Sequence, residues 1–112
     1  MSDHKKLPKI LEDFVTAQNQ HNSSAYVKDF ADDAIVHDES KDYNGKPEIK
    51  QWNETTNEMY HTNLEPIEYS ETKDESVLTV KVSGTFDGSP IILKYHFVIK
   101  DNKIISLIVK NN

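Results

Sequence analysis

Asp38 is the residue whose setting first invites a chemical reading. In FADDAIVHDES, Phe30 to Ser40, the alternation of Ala34 and Val36 continues into Asp38 on the same side of an extended chain. A carboxylate that prolongs an apolar row has two readings. It is the base of an apolar pocket, where desolvation raises its pKa and suits it to take a proton from beside a carbonyl or from water. Or it ends a strand at the pocket mouth, solvated or capping a loop.

The other candidates are weaker. The histidines are His4, His21, His37, His61 and His96, with no H-x-x-x-H pair or facial-triad spacing, so no metal site is expected. Strand parity turns His37 away from Asp38 and His96 away from Tyr95, onto an outer face. His21 closes the first helix, where an imidazolium suits the dipole, or it reaches a pocket rim. Asp32-Asp33 and the acidic run around Asp74 and Glu75 lack the glycine-punctuated spacing of a calcium loop and read as solvated turns. Asn53 is a polar pocket group or an exposed helix position. Tyr43, Tyr60 and Tyr95 fit core positions or pocket walls, and Trp52 is the aromatic best suited to a wall. No Ser–His–Asp or phosphate-loop signature occurs.

These residues must be positioned by a chain of 112 residues, which is one domain's worth, here 1-112. Leu7 to about Gln20 repeats Leu7, Ile10, Leu11, Phe14, Val15 and Gln18 at helical steps, with Pro8 in the first turn. Asn22-Ser23-Ser24 breaks that helix and caps a short one, Ala25 to Phe30. A strand follows from Ala34 to Asp38 or Glu39, then a polar loop through Asn44-Gly45. Pro47 to about His61 reads as a third helix presenting Ile49, Trp52, Thr56 and Met59 or Tyr60. Beyond Pro66 the period becomes two: a weak strand at Ile67 and Tyr69, a clear one from Ser76 to Phe86, then Ile91 to Lys100 and Lys103 to Lys110. Asp87-Gly88-Ser89-Pro90 and Asp101-Asn102 are the turns between them. Helices first and an antiparallel meander afterwards give an α+β fold, with the helices on one face of a curved sheet.

The last strand, KIISLIVK, is apolar on both sides. Ile105, Leu107 and Val109 are expected to face the helices, and Ile104 and Ile108 to join Val98 on the far face. An uncovered patch there points to a homodimer through the outer sheet face. The net charge of −6 and the scattered lysines argue against nucleic acid. No apolar run approaches the roughly 20 residues that span a bilayer, so no membrane partner is expected. The lack of cysteine fits a reducing, cytoplasmic setting, and MSDHKKLPKI carries no secretory pattern.

The order of elements, FADDAIVHDES, Gly45 at the third helix and the GTFDGSP–YHFVIKDNKI ending resemble the SnoaL-like branch of the NTF2-like superfamily, over about Leu7 to Val109. The chain is also similar to ketosteroid isomerase of that superfamily. The resemblance implies a cone: a strongly curved, mainly antiparallel sheet wrapped over three helices, with a hydrophobic pocket at one end. It places the isomerase's general base at Asp38. Its two oxyanion donors fall at Phe14 and Phe97, whose rings cannot donate a hydrogen bond. Loss of one such donor costs about 10²–10³ in rate, so isomerase chemistry itself is not implied. The pocket around Asp38 is expected to comprise Phe14, Phe30, Val36, Trp52, Val80, Val82, Tyr95, Phe97 and Leu107. Its occupant would be a hydrophobic, oxygenated small molecule handled by acid–base chemistry without a cofactor. The alternative is a binding or dimerising module that uses the same pocket without chemistry.

Overall fold

A computed structural model of the chain describes residues 7–111; His4 and the first six residues of the stretch read for a leader lie outside them. Pro8 is extended, with φ −57° and ψ 149°, and its carbonyl accepts from the amides of Leu11 and Glu12 at 2.9 Å. Helix α1 therefore spans Lys9–Asn19 and begins after Leu7, which the following proline disfavours as helix. Its end is a left-handed turn at His21 (φ 54°): the His21 amide donates to the Gln18 carbonyl and the Asn22 amide to that of Ala17. Asn22 Oδ1 then accepts from the Ala25 amide at 3.1 Å and starts α2, Ser23–Lys28. That cap lies ahead of both serines, so α2 begins and ends earlier than expected, and Phe30 opens a strand.

Strand β1 spans Phe30–Asp38, and its pairing is irregular between Phe30 and Ile35, where Asp32 and Asp33 stand exposed. The stretch read as a polar loop contains a further strand, β2, Lys41–Asn44. Glu39 (φ 53°) and Ser40 (φ 66°) form the tight turn joining it to β1. Gly45 (φ 84°) starts α3, Gly45–Tyr60, and the Asn44 amide donates to Glu48 Oε1 at 2.7 Å. The buried face of α3 is Ile49, Asn53 and Asn57; Trp52 and Thr56 are half-buried and Met59 is 57% exposed, which corrects the expected apolar stripe.

Four strands complete the sheet: β3 Asn63–Glu71, β4 Ser76–Ser83, β5 Ile91–Lys100 and β6 Lys103–Lys110. Strand β3 starts before Pro66, which an edge strand tolerates at the irregularity between Pro66 and Glu68. The β4–β5 connection is a longer loop that starts at Gly84, rather than a tight turn confined to Asp87–Pro90. The six strands run β2-β1-β6-β5-β4-β3, all antiparallel except β1 beside β6. The fold is α+β, a curved six-stranded sheet with three helices.

One core joins the helices and the sheet, with Leu11, Phe30, Val36, Ile49, Leu78, Val80, Phe97 and Leu107 sealed from solvent. Ile104 belongs to it as well, contrary to its expected place on the far face. An irregularity between Val98 and Ile99 shifts the β5–β6 register, so Ile104 and Leu107, three apart, both point inward while Ile105 is only half-buried.

Candidate functional site

Asp38 stands at the C-terminal end of β1, where that strand stops pairing with β6. The last pairs are Val36 with Leu107 and His37 with Ile108; β6 continues through Val109, which pairs with Tyr95 of β5. Asp38, Val109 and Tyr95 thus form one row across β1, β6 and β5, on the face that also carries Val36, Leu107 and Phe97. Beside Asp38 opens a cleft of about 880 Å³ whose lining includes Leu93, Leu107 and Val109 together with Ile35, His37 and Ile108 of the opposite sheet face and the polar Asp42 and Lys110. The half-buried carboxyl has no hydrogen-bond partner among the described residues. Desolvation and the neighbouring Glu39 charge push its pKa up to about 6, against a smaller downward pull from His37.

Of the residues expected around Asp38, Leu107 lines this cleft. Phe14, Phe30, Val36, Val80, Val82, Tyr95 and Phe97 are buried in the core and do not line it. Phe14 is their hub, meeting Phe97 edge-on with centroids 5.1 Å apart, Tyr95 at 6.0 Å and Phe30 at 6.3 Å. These rings occupy the space in which an open pocket was expected. Trp52 is half-buried and stacks on Tyr43 at 5.4 Å.

Tyr26 of α2 is the residue the sequence reading missed. It packs on Phe14 at 4.8 Å, on Phe30 at 5.7 Å and near Trp52 at 6.4 Å, and is only 3% exposed. Its signal was the Ser23–Tyr26–Val27 spacing, which puts all three on the buried side of α2. The Tyr26 and Tyr95 hydroxyls have no hydrogen-bond partner among the described residues. Burial raises both phenol pKa values, and the Asp38 charge pushes each further upward. A second group of polar side chains therefore stands in electrostatic range of Asp38.

The remaining polar candidates are accounted for structurally. Asn53 is 2% exposed, neither surface nor pocket group: its Nδ2 donates to Gln18 Oε1 at 2.7 Å and its Oδ1 accepts from Ser23 Oγ at 2.6 Å. Gln18 Nε2 in turn donates to Asn57 Oδ1 at 2.8 Å, so the amides tie the three helices together. His21 Nε2 contacts the Thr62 carbonyl at 2.8 Å, His37 pairs with Asp42 at 2.5 Å, and His96 Nδ1 lies 3.3 Å from Glu75. Among the described residues no three His, Asp or Glu side chains gather as a metal site, and no helix is long and apolar enough to cross a membrane.

No family profile and no curated protein matches the sequence. Solved structures do. A candidate polyketide cyclase from Sinorhizobium meliloti is 34% identical, with a TM-score of 0.89 over 93% of this chain and 95% of that one. The chain belongs to the SnoaL-like branch of the NTF2-like superfamily. Two further structures share the fold at lower identity. A ketosteroid isomerase-like protein from Catenulispora acidiphila, in complex with trimethylamine, is 18% identical with a TM-score of 0.84, over 93% of this chain and 85% of that one. The epoxide hydrolase/cyclase-like enzyme SalBIII of salinomycin pyran-ring formation is 17% identical with a TM-score of 0.77, over 93% and 88%. This SnoaL-like chain thus sits among proteins with enzyme names, on a fold that by itself leaves the reaction open.

Proposed function

We propose that this SnoaL-like protein is an acid–base enzyme for an uncharged, hydrophobic, oxygenated small molecule, with Asp38 as the proton-transfer group and no cofactor. The observation that carries this reading is the Asp38 carboxyl itself: unpaired, half-buried beside an apolar cleft, and raised to about 6. A base near neutrality holds a proton well enough to take it from carbon or water yet is ionised at working pH. The helices, on this reading, close the concave side of the sheet into a cone, within a single domain over 1-112. The rings named above pack in the core, while Leu107 and Val109 line the cleft itself.

Asp38→Asn tests the role. Candidate substrates are cyclic ketones and aromatic polyketide-like esters. Activity of the native protein should rise with pH through about 6 and level off above 7, as the carboxylate forms. The asparagine variant should lose about 10²-fold or more and show no such step, the usual scale for a general base. An unchanged rate in the variant overturns the assignment.

Binding without chemistry is the second reading, favoured by Phe14 and Phe97 at the positions where the isomerase resemblance puts donors. In that case ligands raise the melting temperature, as mass action requires, while no turnover follows. A homodimer through the outer sheet face accompanies either reading, supported by Ile35 and Ile92, 44% and 49% exposed.

A further inference from the structure

We propose that the outer sheet face matches itself in one orientation only: a second copy of this chain packs on it with the two-fold axis running across the strands, so that Lys94 of each protomer meets the partner's Glu75. The inference rests on the outer-face homodimer proposed above and goes beyond it by fixing how the copies are turned.

Three cross-strand rows make up the middle of this face. The central row is Asp42, His37, Ile108, His96 and Val77, from β2 to β4. On one side of it Lys110 of β6 stands directly opposite Lys94 of β5, followed by Thr79 of β4 and Glu68 of β3. On the other side lie Ile35, Ser106 and Val98. Glu75, just ahead of β4, belongs to that end too, with its carboxylate 3.3 Å from His96 Nδ1. The middle of the face thus has ammonium groups at one end and apolar and acidic groups at the other. Both lysines are exposed, and neither makes an ion pair among the described residues. Like charges directly opposite each other destabilise a sheet, so a lone copy gains nothing from this pair.

Two copies of one face meet about a two-fold axis that lies in the plane between them. An axis along the strands lays the lysine row on the partner's lysine row and gathers four ammonium groups in a drying interface. That juxtaposition is strongly unfavourable. An axis across the strands, along the His37–Ile108–His96 row, exchanges the two ends instead. Lys110 then stands over the partner's Ser106, and Lys94 over the partner's Val98, beside the partner's Glu75. Packed sheets lie about 10 Å apart, a gap that an extended lysine and a glutamate close between them. The half-buried Val77, Val98 and Ile108 lie between the charged ends and supply the dry part of the contact. Symmetry repeats each ion pair twice.

Charge exchange tests the orientation. Lys94→Glu sets two glutamates against each other at both ends of the dimer, and Glu75→Lys sets two lysines there. Each variant alone should dissociate at a concentration about tenfold higher than the native dimer, the lower range for close charge pairs across an interface. Mixed in equal amounts, the two should form a heterodimer of near-native strength, because both ends then carry opposite charges. Native mass spectrometry reads the three species. Variants that dimerise like the native chain overturn the pairing, as does a mixture no tighter than its components. If either variant folds poorly, carbodiimide coupling of the native chain, mixed from ¹⁴N- and ¹⁵N-labelled protein, gives a second readout. Lys94 should be joined to Glu75 in peptides carrying one label of each kind; links between chains elsewhere on the face, without this one, overturn the pairing. The two readings fail separately. A native dimer indifferent to the charge exchange removes the orientation and keeps the dimer, whereas a native monomer removes both.

Discussion

Asp38 costs the folded protein something at neutral pH, because burial disfavours its charge. Its pKa rises from 3.8 to about 6, so the folded state holds the proton more tightly than the unfolded one. The sign follows: the fold is penalised above about 6, progressively less between 6 and 4, and not at all below both values. Asp38→Asn should therefore raise the melting temperature by a few degrees at pH 8 and leave it unchanged near pH 3. Thermal scans at the two pH values read this directly, and an equal shift at both would mean that packing, and not charge, is responsible. A variant that gains stability while losing activity is what a functional carboxylate predicts.

At the scale of elements, the turn between β1 and β2 sets where Asp38 ends up. Glu39 and Ser40 both take left-handed dihedrals, which cost a non-glycine residue about 1–2 kcal/mol each. Ser40→Gly should relieve that cost at one position and raise stability by about 1 kcal/mol, measured by urea denaturation; a loss would show that the serine side chain matters to the turn. The same turn explains why β2 was not legible. Glu-Ser carries none of the Asn-Gly or Asp-Gly signal, and Lys41 to Asn44 has only Tyr43 as an apolar member. Helices α1 and α3 and strands β4, β5 and β6 were legible because their periods of 3.6 or two persist over many residues. Parity put Asp38 on the Val36 side of β1, which is regular from Ile35 onward, and the carboxyl there is half-buried. It failed for Ile104, because a register irregularity in the neighbouring pairing is invisible in local spacing. The pocket members were legible as apolar and inward, but not as a core in which their rings touch. Tyr26 escaped notice because a six-residue helix is too short to show a periodic face.

For the whole molecule, the outer sheet face is the surface to measure. It carries His37, Ile108, His96 and Val77 in one cross-strand row, with Ile35 and Ile92 exposed on either side. Dimerisation there predicts a dimer mass by light scattering at micromolar concentration, and Ile35→Lys with Ile92→Lys should return it to monomer. A native monomer at that concentration would leave the face without the proposed partner.

The parallel pairing of β1 with β6 also makes the surroundings of Asp38 depend on segments far apart in the chain. Val36 has Leu107 as its neighbour, and the Ile104 amide reaches the Asp29 carbonyl at 2.9 Å, so the early and late segments meet directly. Until β6 is in place, the cleft lacks the floor formed by Leu107 and Val109, and Asp38 remains an ordinary hydrated carboxylate. Closing so long a stretch of chain is an entropic barrier that local hairpins do not face. Local hairpins face no such closure, so the setting that raises Asp38 depends on contacts between the two ends of the chain.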